Sequence, residues 1–466
     1  MNELIQSIFL KQVGIAVDLT SRQELLKNNL DRIFADRGSV EIWDQDAKSH
    51  VLHVHKVHTA DEFSKYHTIP GISNARYIFI SQGHSWSQLQ VTAELMLRII
   101  AHHDISPLMI DFVQCYGTKV TGEDNPFYGL FYSSFSSASQ ATFPSSMDHF
   151  DFCFHLRRFE NHGNGRMKDP WSLRQMSVYQ RFEFSSKTST WMFIKPFENF
   201  QSKLKAFRLG KYHSHPMAPH LLCLTQATEN WRWYIDFLRR RLQEFNEKAT
   251  FCSLDSIHMN YELSVKDGQR LHTLEAKIVT GIAVLEQNLV IGNGLKKHCG
   301  QLKQIAGFGP DLATQEWMLD EIETQLAHLS LHKTCCELLL QRVHGTCGML
   351  LKILDLRNVM IMKDYSKVTT ELAQIANTQQ KNLNVMAQEA KRDSKIMRIL
   401  TFVAIAYVPG NLIASLFSSD LIRVSDKELS HGSFHVSQDM WIFAVASCTV
   451  TIATIVSALL WSQRGN

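Results

Sequence analysis

The most constraining feature of this chain is a run of 60 residues, Met349 to Val408, without glycine or proline. These two residues interrupt helices, so their absence over such a length predicts one continuous helix. At about 1.5 Å per residue the helix would be about 90 Å long, far longer than a compact domain requires. Its sparse apolar residues, such as Leu372, Ile375 and Leu383, form a narrow seam. Because such a helix is not stable alone in water, we expect other helices to cover the seam.

The end of this run is predicted to enter a membrane. Residues 396–417 are apolar apart from Arg398 and small polar residues, and about 20 residues suffice to cross a bilayer. A second apolar run of similar length follows at residues 440–461. The start of the first run is basic, whereas the loop between the runs is net acidic. The positive-inside rule therefore predicts that the large N-terminal part faces the cytosol.

The part before this helix is predicted to be α/β and then helical. Residues 1–220 contain segments rich in β-branched and aromatic residues, separated by helical segments. The Ser- and Phe-rich residues 129–146 are expected to form a loop. Further helices are expected at about 265–290 and 311–345, with turns at the glycine-containing residues 291–294 and 305–310. The predicted strands are "SVEIW", "HVLHVHKV", "RYIFI", "RFEFSS" and "TWMFIK".

The predicted organisation is therefore a soluble α/β domain, a helical region, a stalk and two membrane spans. In order, the segments are a cytosolic α/β domain at 1–220, a helical hairpin region at 221–348, a stalk helix at 349–395, a first transmembrane helix at 396–417, an extracytoplasmic loop at 418–439, a second transmembrane helix at 440–461 and a cytosolic tail at 462–466.

Composition and motifs argue against several classes of function. A net charge of +3 is too small to indicate a nucleic-acid-binding protein. The nine cysteines lack metal-site spacing, and the adjacent Cys335 and Cys336 would point about 100° apart on a helix. No phosphate-binding loop, nucleophile elbow or glycine-rich dinucleotide turn occurs in the sequence. We therefore expect a protein that is not an enzyme and has no bound cofactor.

The first predicted span contains polar atoms that a simple anchor does not need. Pro409 frees one helical carbonyl and could bend the helix, and Asn411 needs a partner or water. Spacing of three or four places several polar and apolar residues along one side of the helix. This stripe can be either a helix-packing face or the lining of a water-filled path. Its members are Met397, Leu400, Thr401, Ala404, Val408, Asn411, Ser415 and Ser418.

These features together resemble the CorA family of divalent-cation channels. A soluble α/β domain, a long stalk and two C-terminal spans are typical of that family, and "MRILTFVAIAYVPGNLIASLF" resembles its first span. The resemblance extends from about residue 75 to the end of the chain. Four segments resemble its fungal CorA-like branch: "DPWSLRQMSVYQRF", "TWMFIKP", "NWRWYIDFL" and "LLKILDLRNVM".

The resemblance implies a homopentamer in a lipid bilayer, with five first spans around a pore. By position, Met397 and Leu400 match a hydrophobic constriction, Val408 an apolar pore residue and Asn411 a polar one. The sequence "SSD" at 418–420 falls where the family has its Gly-Met-Asn signature. Asp420 keeps side-chain oxygens at the Asn position and adds charge, and five such carboxylates could hold a hydrated Mg²⁺. The mouth residues implied are Ser418, Ser419 and Asp420.

The resemblance also implies cytosolic sensing of divalent cations, for which the main acidic cluster is Asp320, Glu321 and Glu323. Metal binding by His53 and His55, or by His213, His215 and His220 in an expected loop, is a weaker alternative. The predicted function is passage of divalent cations into the cytosol, and the ion expected is Mg²⁺. The alternative is a membrane scaffold or interaction protein that keeps this fold without conducting ions.

Overall fold

The structure is a computed structural model of the chain. It describes residue 5 and residues 19–46, 51–67, 73–119, 131–136, 148–163, 169–207, 215–251, 264–305, 311–418 and 440–464. Contacts within the chain divide it into two compact units, Met1–Leu356 and Arg357–Asn466.

The first unit alternates helices with strands and then becomes helical. The strands are β1 (Val40–Asp46), β2 (Leu52–Val57), β3 (Ser73–Ile80), β4 (Phe131–Ser136), β5 (His149–Asn161), β6 (Trp171–Glu183) and β7 (Thr188–Ile194). The helices are α1 (Leu19–Asn28), α2 (Leu30–Ile33), α3 (Ala60–His67), α4 (Ala93–His102), α5 (Met109–Val113), α6 (Phe200–Phe207), α7 (Ala218–Thr228), α8 (Trp231–Phe251), α9 (Val265–Lys303) and α10 (Leu312–Ser418), and the second unit adds α11 (Met440–Arg464).

The seven strands form one sheet in the order β2-β1-β3-β7-β6-β5-β4. Strands β3 and β7 are parallel, with Ile78 opposite Met192, and the other neighbouring pairs are antiparallel. All five strand-like segments expected from the sequence lie within or overlap strands of this sheet. The α/β character predicted for the N-terminal part is therefore confirmed.

Both faces of the central strands of the sheet are buried. On one face, large aromatic side chains such as Phe79, Trp191 and Phe193 belong to a core shared with residues of α7, α8, α9 and α10. The rings of Phe79 and Phe193 are stacked with their centroids 5.3 Å apart. On the other face, aliphatic residues such as Ile42 and Ile78 pack with residues of α4 and α5. Side chains alternate between the faces, so strands buried on both sides need apolar residues at successive positions.

Helix α8 has the residue spacing of a helix with one buried face. Its buried residues recur every three or four positions along the helix, which places them on one face toward the core. They are Trp231, Tyr234, Leu238, Leu242, Phe245 and Ala249.

Two expectations about glycine- and serine-rich segments are wrong. Residues 131–136, expected in a loop, form the edge strand β4. Residues 291–294, expected to be a turn, lie inside α9. The two glycines there allow close packing instead: a Cβ at Gly292 would lie 2.7 Å from a methyl of Leu326, and one at Gly294 would lie 2.4 Å from the ring of Phe131.

Strand β5 was not among the expected strands. Its sequence carries Phe150, Phe152, Phe154 and Leu156 at every second position, which is the strand period. The signal was therefore present, although charged residues such as Arg157 interrupt the apolar pattern.

The helix expected at 349–408 is confirmed as part of α10, which continues from Leu312 to Ser418 without an end near residue 348. In the first unit, α10 buries apolar residues at helical spacing, among them Met318, Ile322 and Leu329. Beyond Arg357, nearly all of its side chains are exposed, including Leu372, Ile375 and Leu383 of the predicted seam.

Candidate functional site

Within the residues that the structure describes, two helices are long and apolar enough to cross a membrane. The first, Lys266–Lys303, has half of its apolar stretch buried inside the fold, so it is a core helix of the first unit. The second, Leu312–Ser415, has only 11% of its apolar stretch buried. Helix α11 has a shorter described apolar stretch, Ala444–Ser457, and its role as a second span stays a prediction.

Helix α11 approaches one face of the apolar end of α10. A Cβ placed at Gly410 would lie 3.8 Å from the hydroxyl oxygen of Ser447, so the two helices are close at this point. On the same face of α10, Pro409 is buried and Ile413 is 7% exposed, in a segment that is otherwise almost entirely exposed. This contact was not predicted from the sequence, although small residues such as Gly410 and Ser447 are typical of close helix packing.

The stripe predicted to line a water-filled path lies away from this contact. At about 100° per residue, Pro409 and Ile413 are about 120° and 160° around the helix from Met397, whereas the stripe lies within about 60° of it. Met397 is 63% exposed. The other described members of the stripe are also exposed: Leu400, Thr401, Ala404, Val408, Asn411 and Ser415.

Two residues of this segment affect the backbone hydrogen bonds of α10. The Thr401 hydroxyl donates to the Met397 carbonyl at 2.7 Å, which leaves its oxygen lone pairs available to accept. Pro409 has no N–H, so the Ile405 carbonyl lacks its usual intrahelical donor. The helix nevertheless continues through Pro409, and the predicted kink there stays a prediction.

The predicted pore-mouth residues are only partly within the described structure. Ser418 is the last residue of α10. Ser419 and Asp420 lie outside the described residues. The match of these three positions to the family signature therefore rests on the sequence.

The acidic cluster predicted to sense divalent cations lies on α10 in the first unit. Glu323 forms an ion pair of 2.7 Å with Lys296 of α9, and the Glu321 carboxylate accepts a hydrogen bond of 3.0 Å from Gln325. Asp320 is exposed. Among the described residues of one chain, no three His, Cys, Asp or Glu side chains are grouped so that they could hold a metal ion. The role of this cluster as a sensor stays a prediction.

The histidines considered as metal ligands have other surroundings. His53 and His55 lie on β2, within a segment predicted to be a strand, and both are exposed. His220 was expected in a loop, and this expectation is wrong: it lies in α7, fully buried, with its Nε2 2.8 Å from the Gln180 side-chain oxygen. Burial holds the pKa of His220 well below its usual value. Burial also lowers the pKa of the nearby His298 to about 3.

The sequence profile of the CorA-like transporters matches residues 9–250, just over half of the chain. The chain belongs to the CorA-like transporters. The match covers the sheet, α7 and nearly all of α8. No curated protein matches the chain in sequence.

Solved structures show a distant likeness to this CorA-like protein. Full-length CmaX is 9% identical and matches with a TM-score of 0.38, over 90% of this chain and 97% of its own. The ZntB cytoplasmic domain from Vibrio parahaemolyticus is 8% identical with a TM-score of 0.37, over 68% and 99%. The CorA magnesium transporter from Methanocaldococcus jannaschii is 11% identical with a TM-score of 0.33, over 90% and 96%.

Proposed function

We propose that this protein is a membrane channel that passes divalent cations into the cytosol. The observation that carries the proposal is the arrangement of the apolar end of α10. Helix α11 covers the face with Pro409 and Ile413, and the face with Thr401 and Asn411 remains free. Polar atoms in a membrane helix are costly unless they meet water or a partner. A water-filled path shared by several copies of α10 provides that water.

The assembly proposed is a homopentamer in which five copies of α10 surround the path. Met397 and Leu400 form the apolar constriction at its cytosolic end, and Ala404, Val408 and Ser415 line it with the two polar residues named above. The same assembly covers the apolar seam of α10 beyond Arg357, which is exposed in the single chain. Helix α11 lies on the outside, toward lipid, as a second span.

The ion proposed is Mg²⁺, and the branch of the family is the fungal CorA-like one. Mg²⁺ gives up its waters reluctantly and is usually bound through one or two carboxylates with waters retained. A ring of five Asp420 side chains, with the oxygens of Ser418 and Ser419 nearby, suits such a hydrated ion. In this arrangement the N-terminal part is cytosolic, residues 418–439 lie on the other side, and the tail at 462–466 returns to the cytosol.

The test is Mg²⁺ uptake in a host that requires supplied Mg²⁺ for growth. We compare the parent chain with Asp420→Ala and with Asp426→Ala, which removes the same charge from the same loop but outside the signature. The parent and Asp426→Ala should restore growth at low Mg²⁺, whereas Asp420→Ala should not. Asp420→Asn, which restores the residue of the family signature, should retain uptake.

Surface labelling and a sizing measurement on the purified protein accompany the growth assay. Parent chains that form pentamers in the membrane but give no uptake of any divalent cation would refute the channel and favour the non-conducting scaffold. Equal loss of uptake in Asp420→Ala and Asp426→Ala would refute the specific role of the signature position.

A further inference from the structure

A cleft with a volume of about 640 Å³ lies between α8 and α10 in the first unit. The two helices are tied together beyond each end of this cleft. Before α8 begins, the Thr228 hydroxyl donates to the Gln325 side-chain oxygen at 2.6 Å. Further along, the Thr346 hydroxyl donates to the Asn246 side-chain oxygen at 2.5 Å. Helices α8 and α10 therefore run in the same direction with the cleft between two fixed points.

Helix α9 closes the back of the cleft. A Cβ placed at Gly281 of α9 would lie 3.6 Å from the ring of Trp231 on α8 and 4.0 Å from the Sγ of Cys336 on α10. Because its back and both walls are held by packing and hydrogen bonds, the cleft is formed before any ligand arrives. Its volume is within the range of about 300–1,000 Å³ that is typical of small-molecule sites.

The walls of the cleft carry large apolar side chains that are exposed. Trp233 of α8 is 61% exposed, and Leu331 and Leu338 of α10 are exposed as well. The two leucines are seven residues apart, so they lie on the same face of α10, two turns from each other. An indole on one wall and two leucines on the other suit a flat ring placed between them, because apolar and aromatic side chains stack on ring faces.

The charged residues that line the cleft are three arginines and one aspartate. The arginines are Arg232, Arg239 and Arg342. The aspartate, Asp236, pairs with Arg239 and accepts a hydrogen bond of 2.8 Å from the Nε of Arg240. Hydrogen bonds from these two arginines hold the pKa of Asp236 below its usual value. The only carboxylate of the cleft is therefore ionised and already bound on both sides.

Two of the arginines have no carboxylate of their own within the described part of the chain. Glu229 is three residues before Arg232, but it pairs with Arg158 and with Lys203. Arg342 has no acidic residue three or four positions away along α10 and forms no ion pair with another described element. A guanidinium group matches the oxygens of a phosphate in a bidentate way. The cleft therefore offers two such groups to an anion that comes from outside the chain.

We propose that this cleft binds a nucleoside phosphate, with its base against Trp233 and its phosphates at Arg232 and Arg342. The guanidinium carbon of Arg232 lies 5.7 Å from the centroid of the Trp233 ring, so positive charge and ring face are side by side, as a base and its phosphates are. From Leu331 to Arg342 the cleft extends about 16 Å along α10, which suits a compact ligand better than a long acyl chain. The site lies in the first unit, and its occupation does not depend on the proposed channel.

The test is equilibrium dialysis of the purified full chain in detergent against radiolabelled ATP, in the presence of EDTA so that no divalent cation takes part. The parent should bind ATP, and unlabelled adenosine and inorganic phosphate should each compete at least about tenfold more weakly than unlabelled ATP, because each supplies only half of the contacts. Absence of ATP binding by the parent at millimolar concentration would overturn the proposal.

Matched variants separate the cleft from the rest of the surface. Arg342→Gln should weaken ATP binding about 10- to 100-fold, whereas Lys352→Gln, which removes an exposed charge of the same sign from the same helix outside the cleft, should not. Trp233→Ala should weaken binding about tenfold, whereas Trp86→Ala, at another exposed tryptophan, should not. The changed side chains are all exposed, so the four variants should melt with the parent. Equal effects of the cleft variants and their controls would overturn the proposal.

Two other occupants of the cleft give different results in the same experiments. Binding of dioctanoyl phosphatidic acid in place of ATP, with loss in Arg342→Gln and Trp233→Ala, would assign the cleft to a lipid and overturn the nucleotide. No binding of either probe, together with a smaller oligomer for Trp233→Ala on a sizing column, would assign the cleft to contact with a second copy of the chain. Binding of ATP by a parent that gives no divalent-cation uptake would support this site and refute only the channel.

Discussion

Replacing Gly294 by alanine is a sharp test of how α9 packs on the sheet. A Cβ at this position would lie 2.4, 2.6 and 2.9 Å from three ring atoms of Phe131, about 1 Å closer than an ordinary carbon contact. Overpacking of this kind costs about 1–3 kcal/mol, whereas alanine gains about 1 kcal/mol over glycine inside a helix. Gly300 lies in the same helix with no atom within 4 Å of its added Cβ. Gly300→Ala should therefore gain the stability that alanine gives a helix, without a steric clash.

The expected difference in the free energy of unfolding between the two variants is about 1–3 kcal/mol, which corresponds to about 2–10 °C in melting temperature. Thermal unfolding of the full chain in detergent, followed by tryptophan fluorescence, measures it. Gly300→Ala should melt above the parent and Gly294→Ala below it. Adding Phe131→Leu to Gly294→Ala should recover part of the loss, because the ring is the source of the clash. If Gly294→Ala were as stable as Gly300→Ala, the close packing of α9 against β4 would be refuted.

Three further predictions concern pH, a buried ion pair and the long helix. The pKa of His298 is about 3 in the folded state, so below pH 6.5 its side chain binds a proton in the unfolded chain but not in the folded one. The free energy of unfolding should therefore fall by about 1.4 kcal/mol per pH unit from this group. Urea unfolding from pH 7 to 4.5 should show a smaller fall in this free energy for His298→Phe. Arg158 is 3% exposed and pairs with Glu160 at 2.6 Å and Glu229 at 3.2 Å. Because both carboxylates keep a second cationic partner, Arg158→Met should cost about 1–3 kcal/mol, and an unchanged urea midpoint would contradict this. Ile375→Pro should break α10 and reduce the oligomer on a sizing column, whereas Ile375→Ala should not.

The sequence was most informative where the spacing of apolar residues along one element alone indicated which residues are buried. The buried residues of α8 recur every three or four positions, so their place in the core can be read from spacing along one helix. The glycines at 292 and 294 were misleading because tertiary packing chose them: the space is taken by Leu326 and Phe131, which are distant in sequence. Local propensity cannot report a contact of that kind.

The sequence predicts one face of the candidate site on α10 but not the contact between α10 and α11, for a similar reason. The face of α10 with Met397 and Asn411 follows from spacing along one helix, and the structure leaves it free of α11. The contact between Gly410 and Ser447 joins two helices separated by a loop, and one apolar helix does not reveal which face meets the other. The match to the family covers residues 9–250, whereas the residues proposed to line the path lie outside that range.

The parallel pairing of β3 with β7 also constrains how the chain can fold as it is synthesised. Ile78 pairs with Met192, so β3 must wait for more than a hundred residues before its central partner leaves the ribosome. At about 5–20 residues per second this delay lasts roughly 5–20 s, during which an aromatic-rich strand edge is unpaired. Chains that stop before Thr188 never receive that partner. Truncated products of the N-terminal region should therefore aggregate or depend on chaperones, whereas chains that extend past Ile194 can complete the sheet well before the apolar end of α10 is made.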